Sequence, residues 1–90
     1  MAEETVVRIV NRQGLHARPI SRFVQLVAKY QAEVQVTGPD GTVADGSSIF
    51  SMMTLAAGHG TELTLRADGP QAADALAALS RLVAEGFGES

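Results

Sequence analysis

The chain has no cysteine, which excludes disulfide bonds and thiolate metal sites. It has only two histidines, so a zinc site lacks the ligands it needs, and no metal is expected. Lysine and arginine are scarce: seven against ten acidic residues give a net charge of −3, which argues against nucleic acid or an anionic membrane as the main partner. No basic segment leads into an apolar stretch and no apolar run approaches membrane-spanning length. Membrane insertion is therefore not expected, and the cytoplasm is the expected compartment. P-loop, Rossmann and Ser-His-Asp patterns are also missing, and no cofactor is expected. What is present is a composition of 46% hydrophobic and 19% charged residues over 90 positions, which predicts one folded domain spanning 1–90.

The remaining residues are organised around Asn11 to Pro19, where a histidine lies between a glycine-containing turn and a helix-starting proline. Thr5 to Val10 is dominated by β-branched residues and predicts a strand, with Glu3 and Glu4 as a solvated start. Ile20, Phe23, Val24 and Val27 follow at the spacing of an amphipathic helix, with Ser21, Arg22, Gln25 and Lys29 on its wet face. Pro19 belongs in the first turn, where its missing N–H removes no intrahelical bond. His16 thus falls where strand passes into helix.

Alternation of Ala32, Val34 and Val36 with polar neighbours predicts a half-buried strand. Gly38 to Gly41 then turns the chain into a short returning strand over 42–44. Ser47 and Ser48 are N-cap candidates for a short helix from Ile49 to Ala57. Its residues sort into Met52, Leu55 and Ala56 on one side and Ile49, Phe50 and Met53 on an adjoining one. The second group is either core or an exposed docking patch. Leu63, Leu65 and Ala67 mark a last strand, and Ala72, Leu76, Leu79 and Val83 a last helix with Pro70 at its first position. Gly86 is a stop, after which Gly88 to Ser90 should fray. The order β-α-β-β-α-β-α predicts an α+β open-faced sandwich: a four-stranded, mainly antiparallel sheet with three helices on one face.

A helix start presents free N–H groups and partial positive charge, which suits a phosphoryl group or carboxylate. Arg18 adds a full charge, and its planar fork suits phosphate oxygens. Both also disfavour the imidazolium form of His16, leaving a neutral ring able to attack phosphorus. A solvated turn residue is the plainer account of His16, and it is the account that fits His59, between two glycines. For Ser48 a simple N-cap competes with a phosphorylation site, where about two negative charges would sit beside Ile49, Phe50 and Met53.

Gly14-Leu15-His16-Ala17-Arg18-Pro19 resembles the active-site signature of the HPr family, the histidine-containing phosphocarriers of the bacterial phosphoenolpyruvate-dependent phosphotransferase system. Ser48-Ile49-Phe50 with Met53-Thr54-Leu55 is similar to that family's regulatory-serine helix, and Gly86-Phe87-Gly88-Glu89 is a weaker match. The resemblance implies that enzyme I phosphorylates His16 on Nδ1 and that the phosphoryl group passes to IIA proteins or domains. Arg18 and the backbone N–H groups of Ala17 and Arg18 would hold it, as parts of a monomeric carrier rather than a turnover enzyme. Ser48 would answer to an HPr kinase/phosphorylase, with Ile49, Phe50 and Met53 as the docking patch. The chain departs from the family at Ser51, where glycine or lysine is common, and in a segment to Ser48 that is one residue longer. Docking-face lysines are also scarce. A carrier of a nitrogen-type branch would use the same residues with other partners. A small phosphate or acyl ester hydrolase and a purely regulatory serine module are readings of another class.

Overall fold

In the computed structural model residues 2–89 are described. The elements run β1 (Ala2–Arg8), α1 (Ala17–Val27), β2 (Glu33–Thr37), β3 (Val43–Asp45), α2 (Ile49–Met53), β4 (Glu62–Asp68) and α3 (Ala72–Ala84), followed by a 3₁₀ turn at Gly86–Gly88. The sheet order is β1-β4-β2-β3 with every pairing antiparallel, the α+β sandwich expected from the sequence. Period-2 alternation sets its two faces. Val7, Val34, Val36, Ala44, Leu63, Leu65 and Ala67 point into the core, while Arg8, Gln35 and Arg66 stay wet. Ile20, Phe23 and Val27 of α1 and Ala72, Leu76, Leu79 and Val83 of α3 cover the apolar face.

Several boundaries differ from the sequence reading, among them β3, at Val43–Asp45 rather than 42–44, and the end of β1, at Arg8 rather than Val10. β1 begins at Ala2 rather than Thr5, because Glu3 and Glu4 pair with Ala67 and Arg66 on the central strand β4. Glu4 meets the Arg66 guanidinium at 3.2 Å on the wet face, so acidic residues fit the strand. α2 ends at Met53 rather than running to Ala57. Thr54 caps it, donating from Oγ1 to the Ser51 carbonyl at 2.6 Å, and Ala56 then turns left-handed at φ 49°. Ala56 is consequently exposed, against its expected place beside buried Met52 and Leu55.

At α3, Pro70 lies outside the helix. Gln71 exchanges two hydrogen bonds with Gln31, its Oε1 accepting from the Gln31 N–H at 2.8 Å and its own N–H donating to the Gln31 carbonyl at 3.1 Å. That pairing holds Gln71 as the N-cap and starts the helix at Ala72. Finally, the segment expected to fray is anchored. Gly86 does stop α3, at φ 64°, but Phe87 is fully buried in the core and Gly88 completes the 3₁₀ turn. Ser90, also expected to fray, lies outside the described residues.

Candidate functional site

His16 is the N-cap of α1, with extended backbone angles of φ −100° and ψ −170°. Its carbonyl accepts the N–H of Ile20 at 3.0 Å. Pro19 has no N–H, so the helix start leaves the N–H groups of Ala17 and Arg18 without intrahelical partners. These are the residues whose backbone N–H groups the family resemblance assigns to holding a phosphoryl group. His16 caps nothing with its side chain, and among the described residues its Nδ1 makes no hydrogen bond. The ring is about one-third exposed.

The turn that delivers His16 is held from two directions. Asn11, only 2% exposed, donates from Nδ2 to the Gly14 carbonyl at 2.7 Å. Gly14 sits at φ 72° against the chain leaving α2, where an added Cβ would lie 2.8 Å from the Ala57 carbonyl oxygen and from the Gly58 Cα. Both the angle and the space require glycine there. Leu15, buried, donates its N–H to the same Ala57 carbonyl at 2.8 Å.

The sequence reading missed the residue that touches the imidazole. Glu89 places Oε1 at 3.1 Å from His16 Nε2 and accepts from Asn11 Nδ2 at 3.2 Å. The hydrogen bond from His16, then those from Asn11 and the charges of His16 and Arg18, hold the Glu89 carboxyl below the usual glutamate range despite partial burial. The sequence reading named the helix end and Arg18 as the groups around the ring; the structure adds a carboxylate oxygen at its far nitrogen, Nε2. The visible signal was Phe87, an aromatic between glycines where a frayed end would have no use for one. Arg22, assigned to the wet face of α1, donates to the Phe87 carbonyl and ties this end down.

Arg12, Gln13, Arg18, Arg22, Gly88 and Glu89 line one open hollow of about 490 Å³. Three of the lining residues are arginines, a cationic wall that suits an anion larger than a carboxylate. No His, Cys, Asp and Glu cluster able to hold a metal occurs among the described residues.

Ser48 is the N-cap of α2, its Oγ accepting the Ser51 N–H at 3.2 Å. Ser47 instead donates to Asp45 at 2.7 Å, which separates the two serines that the sequence left competing. Ile49, Phe50 and Met53 are exposed at 42%, 85% and 53%, whereas Met52 and Leu55 are buried. The core alternative for the first three is thereby excluded. His59 is an exposed loop residue, as expected.

A family model described as the phosphorylation site of the PTS HPr component matches residues 3–85. The chain belongs to the HPr family. It is 37% identical over 89 residues to the phosphocarrier protein NPr of Klebsiella oxytoca, covering 99% of each chain. It is 42% identical over 83 residues to the phosphocarrier protein HPr of Neisseria meningitidis serogroup B, covering 92% of each. Among solved structures, HPr-C-His from Thermoanaerobacter tengcongensis superposes with a TM-score of 0.92 at 34% identity over 98% of both chains. An HPr-family chain is a phosphate carrier of the phosphotransferase system rather than an enzyme of the usual kind. Its relatives bear both the HPr and the NPr name.

Proposed function

We propose that residues 1–90 work as one monomeric carrier domain that takes a phosphoryl group from phospho-enzyme I onto His16 Nδ1 and gives it to a IIA protein or domain. The observation that carries this reading is the helix start. Two free N–H groups, on Ala17 and Arg18, stand beside an imidazole whose Nδ1 has no partner among the described residues. The Nδ1 lone pair attacks phosphorus as the bond to the donor nitrogen breaks, its electron pair returning to the donor. Ala17 N–H, Arg18 N–H and the Arg18 guanidinium then balance the phosphoryl charge. Onward transfer runs the same step with His16 as leaving group, so no net turnover occurs without a partner. In this reading the carrier works in the cytoplasm, the compartment that supplies phosphoenolpyruvate.

Ile49, Phe50 and Met53 form the partner-docking patch in this reading, supported by their exposure on a helix whose other side is core. Ser48 is the regulatory position, a substrate for an HPr kinase/phosphorylase, supported by its place at the α2 N-terminus next to that patch. The sugar-transport branch is the primary reading. A nitrogen-type branch is favoured by one finding, the match to NPr across 99% of the chain.

Incubation with enzyme I and phosphoenolpyruvate should give acid-labile, base-stable phosphate at one equivalent, lost in His16→Ala. Equal labelling of His16→Ala would overturn the assignment, and multiple turnover without a partner would favour a hydrolase. Parallel transfer rates with sugar-type and nitrogen-type enzyme I and IIA pairs separate the branches.

A further inference from the structure

We infer that Glu89 is a positioning residue for His16: its carboxylate holds the proton of the neutral imidazole on Nε2 and so leaves Nδ1 as the nucleophile. This rests on the carrier reading above and adds what that reading lacks, a reason for the choice between two ring nitrogens.

A neutral imidazole carries one N–H, and a hydrogen bond at either nitrogen fixes which one. Glu89 Oε1 lies 3.1 Å from Nε2, and an ionised carboxylate only accepts, so the proton in that contact belongs to the ring. Asn11 Nδ2, at 3.2 Å from the same oxygen, is a second donor and fixes the carboxylate from behind. The side chain of Glu89 is only 15% exposed, so water competes weakly for it. Its backbone is positioned by the anchored segment before it: Phe87 is buried, Gly86 and Gly88 take φ of 64° and 76°, and Arg22 grips the Phe87 carbonyl. Arg12, Arg18 and Arg22 line the same hollow and supply the cationic side of the site.

The arrangement also serves the outward step. As the phosphorus to Nδ1 bond breaks, its electron pair stays on Nδ1, and a ring already protonated on Nε2 leaves as a neutral imidazole. A ring without the Nε2 proton would leave as an anion, a far poorer leaving group. Glu89 thus acts on both directions through one hydrogen bond, without touching phosphorus itself.

Long-range ¹⁵N–¹H spectra of the unphosphorylated chain, recorded with the ring neutral, read the tautomer directly. The wild type should show the Nε2–H form, and Glu89→Ala should lower the ratio of Nε2–H to Nδ1–H about tenfold, the factor of one charge-assisted hydrogen bond. Glu89→Gln, whose amide oxygen still accepts, should restore most of it. With enzyme I and phosphoenolpyruvate, Glu89→Ala should lower kcat about fivefold with KM for the carrier unchanged, and Glu89→Gln should recover the rate. An unchanged tautomer ratio in Glu89→Ala overturns the inference whatever the rates do. If the ratio shifts but the wild type takes no label, the carrier reading fails and the positioning contact stands.

Discussion

Leu15 and Ala57 are joined by a backbone hydrogen bond of 2.8 Å, which seats the turn before His16 on the chain leaving α2. The candidate phosphoryl site and the candidate docking helix are therefore two ends of one short framework. Gly14 makes this approach possible, since a Cβ there would meet the Ala57 carbonyl and Gly58 at 2.8 Å. Gly14→Ala combines left-handed backbone strain with a backbone clash and should cost about 2–3 kcal/mol, lowering Tm by about 10 °C. Differential scanning calorimetry checks this, and an unchanged Tm would mean that the turn is not seated as described.

Ala56 points the other way. At φ 49° an alanine pays left-handed strain of about 1–2 kcal/mol, while glycine costs about 0.5–1 kcal/mol in unfolded-chain entropy. Ala56→Gly should therefore stabilise the protein by about 0.5–1 kcal/mol, a rise of several degrees in Tm for a domain of this size. Because Ala56 is exposed, no packing contact is lost to offset the gain.

The patch on α2 predicts a separation of stability from transfer. Phe50 is 85% exposed, so Phe50→Ala should change Tm by less than about 2 °C while raising KM for the carrier in the enzyme I reaction about fivefold or more. Ser48 supplies the companion experiment. Ser48→Ala loses the cap on the Ser51 N–H and should cost about 1 kcal/mol with docking retained. Ser48→Asp keeps a capping oxygen, adds negative charge, and should weaken enzyme I binding in a calorimetric titration. Equal affinity for Ser48→Asp and the wild type would remove the regulatory argument.

The Glu89 carboxyl is held below its ordinary value of 4.5, first by the hydrogen bond from His16. A carboxyl with a depressed folded-state value adds stability that is present above its unfolded value and lost as pH falls through the folded one. The contact to His16 should accordingly be fully present above pH 4.5 and be released as pH falls through the lower folded-state value. An NMR titration of the Glu89 side chain should show a midpoint below 4.5, and Glu89→Gln should remove that acid-induced change at His16. A midpoint at or above 4.5 would contradict the contact.

The strands, α1 and the place of His16 were legible because local pattern and tertiary role agree there. Alternation marks Val34, Val36, Leu63 and Leu65, and Pro19 fixes the start of α1 to within two residues. The sorting of Met52 from Phe50 was legible for the same reason, as it is a matter of angle around one helix. What was hidden depends on partners distant in sequence. Nothing local tells that Ala56 turns left-handed, since alanine is a good helix former and the contact that follows it, from the Ala57 carbonyl to the Leu15 N–H, is distant in sequence. Glu89 and His16 are 73 positions apart, and no periodicity links them. Two glycines around Phe87 give the composition of a loose end, while burial of that one ring makes it an ordered one.

The central strand β4 pairs with β1 on one side and β2 on the other, although it comes last of the four in the chain. Until Glu62 to Asp68 have been synthesised, β1 has no strand beside it and β2 has only the short β3. During translation the first sixty or so residues therefore hold exposed strand edges and a half-covered α1, waiting for the keystone. Assembly of the sheet is a late, non-local event, so folding should be slower than in helical bundles of equal length and the nascent chain more dependent on protection from aggregation.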